Sequence, residues 1–136
     1  MPLSRFHRSV LFLALVLKKN APEIKGYPTS LEGKRDYAQT FYQNRLKPHF
    51  DLEEKHLLAF VRVKSLDLER ISEEVEVEHR KLHQLFTSLS QAENLEDHLH
   101  ELGTLLESHT RKEEREFFQL IQDELTEEEL NKLKLL

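Results

Sequence analysis

The sequence predicts an all-α protein, an up-down-up-down four-helix bundle with a short C-terminal helix. Three observations carry that reading. Charged residues make up 33 % of the chain against three glycines and four prolines, and Glu, Lys, Leu, Gln and Arg are all good helix formers. Apolar residues recur at steps of three and four, and no segment alternates as a half-buried strand would. The turn signals divide the chain into four long amphipathic stretches joined by short loops. At 136 residues the chain is expected to be one domain, 1–136, with a single sizeable core.

The first helix covers the opening stretch MPLSRFHRSVLFLALVLKKN, with Leu3, His7, Val10, Ala14 and Leu17 on one face. Its apolar run, 10–17, is far shorter than the ~20 residues that cross a bilayer. No small-x-small pattern precedes Ala21, so the segment reads as part of the fold rather than as a signal peptide. Residues 20–30 (NAPEIKGYPTS) hold Pro22, Gly26 and Pro28 and form a loop. Thr29 with Glu32 reads as a capping box opening the second helix. That helix runs to about residue 63, with Pro48 as a kink or break. Its stripe is Tyr42, Leu46, His49, Glu53, His56, Phe60 and Val63. A turn at 65–67, with Asp67 as N-cap, starts a third helix striped by Ile71, Val75, His79, Leu82, Phe86 and Leu89. Ser90 with Glu93 reads as the next capping box. The fourth helix then carries Leu99, Leu102, Leu106, His109, Glu113, Phe117 and Leu120 on one stripe. Thr126 with Glu129 caps a tail helix.

The net charge of −5 and the lack of a basic patch with interleaved aromatics argue against nucleic acid as a partner, and no segment is expected to enter a membrane. The chain has no cysteine, which removes disulfides and thiolate ligands and fits a cytoplasmic protein.

What the stripes do not explain is why each of them carries a histidine: His7, His49, His79 and His109. Helices two and four repeat His-x-x-x-Glu, as His49/Glu53 and His109/Glu113, and helix three holds His79 and His83 at the same spacing. Residues four apart share a helix face. In an antiparallel hairpin two residues lie level when they are equally far from the turn. The midpoints of successive histidines fall at residues 28, 64 and 94, each in or beside a turn signal. Four histidines and two glutamates are therefore expected at one level of the bundle. Burying them without partners would be costly, whereas a cation offsets the desolvated charge. Imidazole and carboxylate without thiolate suit iron or manganese, with zinc allowed, and two carboxylates from facing helices can bridge two metals. A dinuclear centre is the expectation. His56 is expected beside the site or in the core, and His98 and His100 in solvent, too far from it.

Glu53-x-x-His56 and Glu76-x-x-His79 also spell a ferritin-like motif. That architecture needs a lone glutamate on the first helix, where residues 2–19 contain no acid at all. The ordered set R-F-His7-R-S, His49-F-D-L-Glu53-Glu54, Glu78-His79-R-K-L-His83 and His109-T-R-K-Glu113-Glu114 instead resembles the hemerythrin-like, HHE-type domains, over nearly the whole chain. The resemblance implies a four-helix bundle around a non-haem centre of two iron ions. It implies His7, His49, His79 and His109 as terminal ligands and Glu53 and Glu113 as bridges. Oxygen-carrying members use two histidines on the third helix, which His83 matches, and an aspartate five residues after the last histidine, where Glu114 stands. HHE-type relatives use one histidine there and a glutamate four residues on, which Glu113 matches and which shares the stripe with His109.

Three roles follow from such a centre. A carrier or sensor would bind oxygen or nitric oxide in a dry pocket walled by Leu82, Phe86, Leu106 and Phe117, and a fifth histidine favours this by saturating one iron. A redox enzyme or iron donor, acting on nitric oxide or peroxide or in repair of damaged iron centres, is favoured by four histidines, which leave both irons open. A protein that signals by folding on its metal is the third.

Overall fold

Side-chain caps decide where the helices begin. The computed structural model describes residues 5–134. Its helices are α1 (Arg5–Leu17), α2 (31–61), α3 (Leu66–Thr87), α4 (95–124) and α5 (Glu127–Lys134), with a 3₁₀ turn at Leu89–Gln91 before α4. No strand occurs among the described residues. Leu3, expected on the apolar face of α1, lies outside them.

Three of the four expected caps fall on a different residue. Ser30, not Thr29, caps α2, its hydroxyl accepting from the Gly33 N–H at 3.0 Å. Ser65, not Asp67, caps α3 through the Leu68 N–H at 3.1 Å. Asn94, not Ser90, caps α4 through the Asp97 N–H at 3.1 Å. At the first two of these ends the third helical residue is Gly33 or Leu68, which has no carboxylate to reach back. Only the Thr126–Glu129 box is reciprocal: the Thr126 N–H donates to Glu129 Oε1 at 2.9 Å and the Glu129 N–H to Thr126 Oγ1 at 3.1 Å.

The helices form the up-down-up-down bundle, with α1 packed along α4, and α2 and α3 completing the ring. The α1–α4 contact is close because Gly103 presents no side chain; a Cβ there would lie 2.6 Å from the Ala14 carbonyl oxygen.

Two apolar clusters fill the interior. One joins Leu13 and Leu17 of α1 to Phe41 and Tyr42 of α2, Phe86 of α3, and Leu102 of α4. The other joins Leu58 and Val61 of α2 to Leu68, Ile71 and Val75 of α3 and Phe117 and Ile121 of α4. Leu130 and Leu133 of α5 cover this second cluster. Each buried Leu or Phe contributes roughly 1.5–3 kcal/mol of apolar burial. Along α2, α3 and α4 the residues between the clusters are Glu53, His79, His109 and Glu113, all buried.

The stripe changes phase at that level. α2 contains π-helical turns at Tyr42–Leu46 and Glu53–Leu58, and α4 contains one at Glu113–Phe117. A π-turn takes in an extra residue and rotates everything after it by about one position. In α4 the buried series His109, Glu113, Phe117, Ile121, Leu125 runs in steps of four, which a 3.6-residue helix could not keep on one face. The expected stripe is accordingly corrected after each turn. Leu58 and Val61 are buried in α2, whereas Phe60 is only half-buried and Val63 is 78 % exposed. Ile121, not Leu120, faces the core of α4. Pro48 does not break α2: the Lys47 N–H bonds the Tyr42 carbonyl in the wider π pattern just before it. That loosened turn accommodates the ring and the missing N–H. Among the described residues no helix is long and apolar enough to cross a membrane.

Candidate metal centre

α2 and α4 each bring a histidine and, four residues on, a glutamate at the first position of a π-turn. α3 brings His79 between them. Ligand atoms of Glu53, His79, His109 and Glu113 all lie within 4.8 Å of one another, and all four residues are buried. His79 Nε2 is 3.2 Å from Glu53 Oε1, and His109 Nε2 is 2.9 Å from Glu113 Oε1. His49 adjoins the group, its Nε2 3.4 Å from Glu53 Oε2. His7 is next, its ring centroid 6.1 Å from that of His49. Phe50 stacks on His79 with centroids 3.9 Å apart and meets His109 edge-on, and Phe118 stacks on His7. The rings are thus held by packing.

His83 is not brought to this group. It stands exposed on α3, with its Nδ1 against the Tyr42 hydroxyl. Tyr42 is buried, and burial pushes its hydroxyl up to about 12. His56 lies half-buried within the α2 π-turn. His98 and His100 are far from the centre as expected, but they are half-buried rather than in solvent. His98 Nε2 hydrogen-bonds the Leu85 carbonyl at 2.8 Å, and His100 Nδ1 accepts the Lys19 N–H at 3.0 Å.

Two carboxylates that the stripes did not single out hydrogen-bond histidines from behind, and a third stands near His79 without bonding it. The His109 Nδ1–H donates to Glu78 Oε1 at 2.8 Å. Glu114 hydrogen-bonds Nδ1 of His7. Glu54 Oε2 approaches Nδ1 of His79 at 3.7 Å. A carboxylate behind an imidazole fixes its tautomer and turns Nε2 forward, the usual setting of a metal-ligating histidine. The readable signal was the doubled acid in both repeats, Glu53-Glu54 and Glu113-Glu114, and the Glu78-His79 pair.

Electrostatics show what the protein alone leaves unresolved. Burial raises the Glu53 carboxyl, but His49 and His79 beside it prevail and hold it below the ordinary carboxylate range. Burial and the charge on Glu53 drive Glu113 the opposite way, well above that range. Burial works against charge on His109, yet Glu113 and Glu78 overcome it and raise the ring to about 10. Two adjacent carboxylates therefore cannot both ionise comfortably without a further cation.

The hydrogen-bond census agrees. Nε2 of His49, His79 and His109, with Glu53 Oε1 and Glu113 Oε2, are buried without an aligned hydrogen-bond partner. Their 2.9–3.4 Å contacts lack hydrogen-bond geometry. Each such orphan costs about 1–3 kcal/mol. These are the atoms that ligate metals, and they converge on one point, so the residues present fit a bound cation.

The fold and this cluster define a helical-bundle protein with a cation site of imidazole and carboxylate. The sequence matches the family model of the Hemerythrin HHE cation binding domain over residues 3–121, and the chain belongs to that family. No curated protein and no solved structure matches it.

Proposed function

We propose that the chain is a non-haem di-iron protein that binds oxygen or a related diatomic such as nitric oxide at a carboxylate-bridged dinuclear centre, for carriage or sensing. The observation that carries this is the convergence of Glu53 and Glu113, from two copies of one turn, with His79 and His109 between them. In this reading Glu53 and Glu113 bridge the metals, and His7, His49, His79 and His109 are the terminal ligands. Glu78 and Glu114 orient the imidazoles of His109 and His7 from behind. Iron in such a site supplies electron exchange with a small ligand at an open coordination position. Leu82, Phe86, Leu106 and Phe117 are fully buried and keep water from the layer on either side. Manganese or zinc would suit the same donors. The lack of cysteine supports a cytoplasmic setting.

The place of His83 favours a second reading. Without a fifth histidine, four imidazole nitrogens and four carboxylate oxygens supply roughly four donors per metal, short of an octahedral set. Open positions on both metals suit a redox enzyme or iron donor acting on nitric oxide or peroxide, or in repair of damaged iron centres.

Anaerobic reconstitution with ferrous iron separates these. Two irons per chain and an oxygen-dependent visible band that disappears under vacuum are expected of a carrier or sensor. A single irreversible oxidation identifies redox chemistry. One iron or none per chain sinks the dinuclear centre.

A further inference from the structure

One side of the candidate centre opens into a cavity of about 560 Å³ between α2, α4 and α5. Its walls are Leu52, Leu57, Phe118, Ile121, Leu130 and Leu133, and its inner end is formed by His49 and Glu53. Gln122 and Asn131 add two side-chain amides. A diatomic ligand needs no more than the share of a water molecule or two, at about 30 Å³ each. The cavity is at least about nine times that size and falls within the ~300–1,000 Å³ of sites for small organic molecules.

The lining also selects for charge. Glu127 adds a carboxylate and His56 an imidazole, and no lysine or arginine is among the described residues of the lining. An anionic ligand would have to be desolvated against six apolar side chains, and a water-filled cavity would leave those side chains wetted. A neutral, largely apolar molecule with one or two hydrogen-bonding groups satisfies the walls and the two amides together.

We propose that this cavity is a binding site for a neutral, mostly apolar organic molecule, seated under α5 with one end against His49 and Glu53. The centre then serves chemistry or sensing that involves an organic partner as well as a diatomic. What the inner end of that molecule meets rests on the metal-centre reading; the cavity itself does not.

The test uses N-phenyl-1-naphthylamine, a neutral apolar dye, and 1-anilinonaphthalene-8-sulfonate, the same skeleton bearing a sulfonate. Fluorescence titration of the full chain, metal-free and cobalt-loaded, is expected to give one neutral-dye site per chain. The neutral dye should bind at least about ten-fold tighter than the sulfonate, since desolvating the anion against six apolar side chains is costly. In the cobalt-loaded protein the visible bands should shift on dye addition. Leu133→Asp in α5 and Leu52→Asp at the lip, where Leu52 is 51 % exposed, should each weaken the dye by roughly ten-fold or more. Leu66→Asp, at an 84 % exposed apolar residue outside the cavity, should not. If Leu133→Asp loses helix content, Leu52→Asp decides. Absent dye binding, equal binding of both dyes, or binding unaltered in Leu52→Asp overturns the proposal. Dye binding in a protein that takes up one metal or none would leave the site standing and overturn the dinuclear reading instead.

Discussion

His49-x-x-x-Glu53 and His109-x-x-x-Glu113 are two copies of one motif, each ending on the first residue of a π-turn, and they have different surroundings. The His109 ring is 1 % exposed, hydrogen-bonded to Glu78 and met by the edge of Phe50. The His49 ring is 33 % exposed, lies 4.3 Å from the Phe6 ring and borders the cavity under α5. The motif sets how a histidine and a glutamate converge; the packing around it decides which copy is sealed and which admits a ligand. A site with one closed and one open side can hold metal firmly and still exchange what the metal binds.

The largest effect is expected from the sealed copy. His109→Ala removes a proposed ligand and leaves Glu78 and Glu113 buried without their imidazole, so the metal-free protein should lose about 3–5 kcal/mol in denaturant unfolding. Iron per chain should fall in parallel. His49→Ala, at the open copy, should cost about 1–2 kcal/mol and spare the fold while weakening metal uptake. If the two variants are equally damaging, the comparison fails. Glu78→Gln keeps the shape but not the charge behind His109, and metal affinity measured by competition with a chelator should drop by about 10–100-fold. His83→Ala is expected to leave metal stoichiometry unchanged, with about 1 kcal/mol lost from the Tyr42 contact. A fall in metal content there would return His83 to the ligand set.

The smallest effect concerns the cover of the open side. The side-chain hydrogen bond from Lys64 holds the half-buried Glu129 carboxylate at about 2, against an ordinary value of 4.5. A depressed carboxylate contributes stability above its unfolded value and loses it as pH falls through the folded one. With the intrinsic pH dependence of exchange divided out, protection of the α5 amides should therefore fall as pH is lowered from 4.5 towards 2, ahead of that in α3.

How much of this could be read from the chain depends on which period was at work. The helices, and the meeting of His79 and His109 at one level, followed from apolar steps of three and four and from the distances to the turns. The phase beyond the π-turns did not, because a 3.6-residue template cannot anticipate an extra residue. Phe60, Val63 and Leu120 were placed on the core stripe where Leu58, Val61 and Ile121 belong. The unbroken steps of four from His109 to Leu125 were the available warning. Glu54 and Glu78 have no role in the sequence pattern and Glu114 stands only as an alternative to Glu113, since their partners sit on other helices and the doubled acids are a weak local signal. Three caps slipped, by one, two and four residues, because Ser, Thr, Asp and Asn cap with similar preference and several stand near each helix start.

The π-turns also bear on how such a bundle can change over time. An extra residue inside an ordinary helix would throw every later side chain off the core and be selected against. Here α2 and α4 both take up that rotation at one level, beside the polar layer. The apolar residues on either side of the layer answer to separate registers. The end that contains α5 can therefore be rebuilt through evolution, residue by residue, without disturbing the packing of α1 against Gly103.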